Sequence, residues 1–151
     1  MSETAVGPKL EGLVTEKDYS STPLTKKLGI RAGSRVLLVS EPKGFGRTLG
    51  PLPPEAELRR QARAPLDVIV MFATELTELR RRFATLARAL DPSGRLWVAW
   101  PKKAAIVETD LSFEVVQRIG LEEGLVDNKS ASIDDVFQAL QFVYRLKDRG
   151  R

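Results

Sequence analysis

Residues 67–72 read DVIVMF, an acidic residue opening an unbroken apolar run. Behind them Leu76, Leu79, Phe83, Leu86 and Leu90 recur at three- and four-residue spacing. So short an apolar run reads as a strand covered on both faces, and the spacing that follows is the buried stripe of a helix. Asp91, Pro92, Ser93 and Gly94 stop that helix, and residues 96–100 (LWVAW) form a second strong strand closed by Pro101. Strand, helix and strand in this order predict a parallel βαβ unit with a right-handed crossover.

Upstream, residues 36–39 (VLLV) repeat the signature of a buried strand, followed by a loop over 40–46. Gly50, Pro51, Pro53 and Pro54 then leave room for only a short helix over 45–49 and a short strand over 56–59. Further back, Thr22 is placed to cap a helix with Pro23 at its first position, Leu24 and Leu28 on one face and Gly29 at its end. Gly33 turns the chain into the first strand.

Downstream, a helix is predicted from Ser112, with Leu111 and Val116 placed as a hydrophobic staple and Gly124 as its stop. Residues 126–133 read as a strand. In residues 139–146 Leu140, Phe142, Tyr144 and Leu146 alternate as in a strand, while Phe137, Leu140 and Tyr144 also fit a helical spacing. The sum is an α/β fold: one three-layer Rossmann-like domain over 19–148, its sheet mostly parallel with an antiparallel C-terminal strand. Residues 1–18 read as a mobile lead-in and 149–151 as a tail.

Composition narrows the chemistry. The chain of 151 residues is 42% hydrophobic and 29% charged, which suits one globular domain. It contains neither Cys nor His, so thiolate metal sites, cysteine nucleophiles and histidine general bases are excluded, and no metal site is expected. No apolar run is long enough to cross a bilayer and the first residues lack the order of a secretion signal, so a cytoplasmic location without membrane contact is expected. The net charge of +4 favours anionic partners mildly. Arg80, Arg81 and Arg82 read as a solvated helix face, with Glu78 paired to Arg82 one turn on. No reading helix or aromatic platform accompanies the charge, which disfavours nucleic acid.

The order DVIVMF, LARALDPSGRLWVAW, a helix and two closing strands resembles the second half of class I S-adenosylmethionine-dependent methyltransferases. Across 19–149, YSSTPLTKKLGI, WPKKAA, TDL and GLVDNK resemble a small bacterial family of methyltransferase-like domains of unknown function, which implies the fold and no established activity. The methyltransferase resemblance implies a cofactor loop of the form E/D-x-G-x-G-x-G after the first strand. VLLVSEPKGFG, laid on it, puts Leu38 at the acid, Ser40 and Pro42 at the first two glycines and Gly44 at the third. A leucine cannot hold an ammonium, and proline has no N–H and cannot take positive φ. The N/D-P-P-Y/F motif of amino-methylating relatives is also absent, Phe72, Ala73, Thr74 and Glu75 standing in its place.

Ligands of such sheets bind beyond the carboxyl ends of the strands, where strand order reverses, here between the strands at 36–39 and 67–72. Three loops converge there and supply the candidate site: Glu41, Lys43, Gly44, Phe45 and Gly46; Thr74; and Trp100, Lys102 and Lys103. Lysines beside aromatic rings suit an anionic small molecule, a phosphate, carboxylate or nucleotide. The competing reading makes Trp97 and Trp100 core residues on opposite sheet faces and the lysines solubilising charges. Glu41 or Glu57 could supply a carboxylate, and Tyr19 to Thr22 a lid. The departures from the cofactor loop favour a non-catalytic ligand-binding or protein-interaction module, with S-adenosylmethionine disfavoured and homodimerisation open. The alternative is a small-molecule methyltransferase with an altered cofactor loop.

Overall fold

The computed structural model describes residues 22–149. The expected lead-in at 1–18, the lid residues 19–21 and the last two residues of the tail lie outside them. The described chain forms strands β1 (Arg35–Val39), β2 (Glu57–Arg59), β3 (Leu66–Phe72), β4 (Leu90–Pro101), β5 (Leu125–Ser132) and β6 (Phe137–Tyr144). Helices are α1 (Leu24–Lys27), α2 (Phe45–Leu49), α3 (Leu76–Ala89) and α4 (Phe113–Glu122). The sheet order is β2-β1-β3-β4-β6-β5. The pairs among β1 to β4 are parallel, and β6 runs antiparallel to both neighbours. The fold is the expected single α/β domain, with the strand order reversing between β1 and β3.

Side-chain alternation on these strands separates two cores. Leu37, Val39, Ile69, Met71, Leu96, Val98 and Trp100 face α3 and α4, where Leu79, Phe83, Leu86, Val116 and Ile119 complete the packing. Val36, Val68, Val70, Phe72, Trp97 and Ala99 face the other way, toward Leu28, Phe45 and Leu49. Trp97 and Trp100 therefore do occupy opposite faces, and both are buried. Among the described residues the second face is roofed by two very short helices, α1 ending before Gly29 and α2 cut off by Gly50 and the prolines behind it.

Most predicted boundaries hold to within a residue or two, and the departures have local causes. α1 starts one residue later than expected, because Pro23 takes an extended ψ of 141° and stands at the cap with no side-chain hydrogen bond, so Thr22 does not cap it. β4 begins before the predicted turn: Leu90 pairs with Leu66, the DPSG segment loops out, and pairing resumes at Arg95 with Val68. Within that loop Ser93 donates from its backbone N–H and its hydroxyl to Asp91. The ambiguous C-terminal segment is a strand, because in the sheet Leu140 and Phe142 reach the α3/α4 core while Gln141 lies opposite Trp97. Ser112 caps α4 by accepting from the Val115 N–H, with Leu111 and Val116 both buried beside it.

At the amino ends of β1 and β3, Asp67 accepts from Arg35 three times: backbone N at 2.8 Å, Nε at 2.7 Å and Nη2 at 2.9 Å. These hydrogen bonds hold the Asp67 carboxyl below its ordinary pKa, outweighing the opposing effect of its partial burial. A depressed folded-state pKa adds stability that is present above the ordinary value of 3.8 and is lost as pH falls through the folded value. Asp67→Asn is expected to lower stability at neutral pH and to flatten the acid limb of a stability-versus-pH curve below that value. Parallel acid limbs in urea titrations of the two proteins would refute this assignment.

Candidate functional site

The carboxyl ends of β1, β3 and β4 lie side by side, and the loops leaving them form one rim. After β1 the chain turns at Ser40, a non-glycine residue with φ 57°, and again at Gly44 with φ 86° before entering α2. The left-handed conformation costs an L-residue of order 1 kcal/mol, so its presence at Ser40 marks a backbone shape that the surrounding structure enforces. Ser40 and Gly44 are the positions laid on the first and third glycines of the cofactor loop. Two of the three glycine positions thus have left-handed backbone although only one of them carries glycine.

Leu38 is packed against the core under α1 and α2, as an apolar side chain must be at this position. A carboxylate nevertheless reaches the loop. Glu78 on α3 accepts a hydrogen bond from Ser40 Oγ at 3.3 Å. The sequence expectation of a Glu78–Arg82 pair is thereby corrected: near the start of α3 the Glu78 carboxylate is engaged by the loop after β1 and not by the side chain one turn along the helix. Arg80 pairs with Glu122 of α4 at 3.3 Å, consistent with the solvated helix face expected for the arginine run.

The remaining candidates divide. Glu41, Lys43 and Gly44 are exposed on the β1 loop, and Gly46 is exposed in the first turn of α2. Phe45 is buried, its ring edge-on to Phe72 at 4.9 Å, and Trp100 lies in the α3/α4 core, so neither ring is on the rim. Glu57 sits on β2 opposite Arg35, at the far end of the sheet, and contacts Arg59 instead.

Thr74, Lys102 and Lys103 do come together, around a cleft of about 720 Å³. Its other walls are Glu75, which follows Thr74 onto the rim, and the loop over 107–111; sequence reasoning does not place that loop there. The signal for it was the TDL segment: Thr109 donates to the Thr74 carbonyl at 2.7 Å, and Asp110 accepts from the Leu76 N–H at 2.8 Å. Asp110 thereby caps α3 from a separate loop, satisfying an orphan donor of its first turn. Lys102 is tied down by donating to Ser132 Oγ at 2.8 Å. The expected lysine trio is thus dispersed, and the cleft carries both signs of charge.

Among the described residues no helix is long and apolar enough to cross a membrane. No family model matches the chain and no curated protein matches it. Solved structures do. The chain is similar to an S-adenosylmethionine-dependent methyltransferase from Aquifex aeolicus, with TM-score 0.56 and 16% identity over 83% of this chain and 88% of that one. It is similar to DhpI in complex with SAH, with TM-score 0.57 and 12% identity over 85% and 86% of the two chains. A third likeness is to the mitomycin 7-O-methyltransferase MmcR, with TM-score 0.53 and 11% identity over 75% of this chain; there the chain spans about half of the relative's length, 49%. At these identities the likeness establishes the fold: the chain has the mostly parallel α/β architecture of class I S-adenosylmethionine-dependent methyltransferases.

Proposed function

We propose that the chain is an S-adenosylmethionine-dependent small-molecule methyltransferase whose cofactor loop keeps its backbone turns while changing their residues. The observation that carries the reading is the left-handed Ser40, at φ 57°, with the Glu78 carboxylate beside it at the point where strand order reverses. The residues present fit an adenosyl nucleoside through backbone shape at Ser40 and Gly44, and Glu78 stands in for the acid that Leu38 cannot supply. Bound there, the group would offer an electrophilic methyl to a molecule in the adjoining cleft. Glu78 would hold its ammonium, the β1 loop would lie along the nucleoside, and Glu75, in a chain without histidine, would be a carboxylate of the cleft able to take a proton.

Calorimetric titration with S-adenosylmethionine tests this. The expected result is saturable binding together with a rise in melting temperature, since a ligand of the native state stabilises it. Glu78→Gln is expected to weaken that binding roughly tenfold, which corresponds to about 1.4 kcal/mol. Absence of heat and of any thermal shift at saturating cofactor sinks the proposal. A second reading, a non-catalytic ligand-binding or protein-interaction module, is favoured by Leu38 and by Pro42, which offers no backbone N–H to a ligand. It is the reading left standing by that negative result.

A further inference from the structure

The cleft beside the proposed cofactor loop has a charge pattern that selects among ligands. Lys102 is engaged with Ser132, and one oxygen of Asp110 with the Leu76 N–H. Among the described residues this leaves Lys103, Glu75 and Glu108 as the charged groups of the cleft without a partner. Val107 and Leu111 supply apolar surface between them, Val107 being 40% exposed and Leu111 nearly buried. The partners of Lys102 and Asp110 are neutral, so the cleft keeps two lysine and three carboxylate charges, and neither an anion alone nor a simple cation answers both signs. A molecule bearing an ammonium, a carboxylate and a short aliphatic body answers all three features.

We infer that the cleft binds an aliphatic α-amino acid or a close derivative, its carboxylate toward Lys103, its ammonium toward Glu75 and Glu108, and its side chain against Val107. The inference deepens the methyl-transfer reading by naming the ligand class of its cleft. It rests on that reading for what the protein would do with the ligand, and not for the binding. The cleft's volume falls within the usual range of small-molecule sites, roughly 300–1,000 Å³. The loop over 107–111 is held by the Thr109 and Asp110 hydrogen bonds, so binding has to order the exposed Lys103, Glu75 and Glu108 side chains and not the backbone beneath them.

The test uses three probes on the full chain: L-leucine, L-leucinamide without the carboxylate, and N-acetyl-L-leucine without the ammonium. Binding is followed by amide chemical shifts of residues 102–111, alone and with saturating S-adenosylhomocysteine. L-leucine is expected to bind at least about tenfold more tightly than either analogue. Lys103→Met is expected to abolish the preference over the amide, and Glu108→Gln to reduce the preference over the acetylated form. Equal binding of the three probes, or no saturable binding of L-leucine under either condition, overturns the inference. Because the measurement without cofactor stands alone, a failed S-adenosylmethionine titration and a failed leucine titration are separate results.

Discussion

Trp97→Ala is expected to destabilise the protein by about 4 kcal/mol, the largest effect of any substitution considered, because it combines a cavity with a lost hydrogen bond. Trp97 is fully buried at the centre of β4, and its Nε1 donates to the Leu28 carbonyl at 2.9 Å. Leu28 ends α1, so the indole both fills the second core and fastens its short roof to the sheet. Among the described residues the helices above this face, α1 and α2, are four and five residues long, so few helical side chains can collapse into the space, which places the cost toward the upper part of the range for aromatic truncations. Trp97→Phe separates the two contributions: the ring volume is largely kept while the Leu28 carbonyl loses its donor, at a cost of about 1–3 kcal/mol. Urea denaturation reads both variants through the midpoint at unchanged slope. If Trp97→Phe matched the parent midpoint, the hydrogen bond would have no role in holding α1.

Gly120→Ala should lower stability by about 3 kcal/mol, although alanine is the better helix former by about 1 kcal/mol. Gly120 lies in the middle of α4, and an added Cβ would fall within the ring of Phe142, far inside van der Waals contact with its Cε1 and Cδ1. The ring cannot retreat easily. It is fully buried on β6 and meets Phe83 of α3 edge-on, with centroids 5.5 Å apart and planes at 90°. The glycine is therefore the space that lets α4 lie close over β6. Adding Phe142→Leu to the alanine variant should restore part of the loss, a coupling measurable by a double-mutant cycle. Additive losses in that cycle, or an alanine variant as stable as the parent, would refute the close approach.

Much of the fold could be read along the chain because it depends on near neighbours. The apolar runs at 36–39, 67–72 and 96–100 are strands since a parallel strand is wetted on neither face, and α2 is short since Gly50 and the prolines behind it end it. The opposite facing of Trp97 and Trp100 follows from strand parity alone. The candidate site was less legible. Thr74, Lys102 and Lys103 line one cleft, whereas residue type draws Phe45 and Trp100 to the rim and the structure buries both, because an aromatic side chain at a strand end or short helix start is as readily core.

The sequence by itself determined which segments are strands and helices, where glycine, proline and capping residues end them, and which side chains share a face. Tertiary structure alone decided that β6 inserts between β4 and β5, that Glu78 turns to Ser40, that Asp110 caps a helix it does not belong to, and that Gly120 makes room for Phe142. The division has one cause. Periodicity and turn chemistry act over a few residues, whereas a contact between residues 22 to 38 apart depends on how whole elements pack.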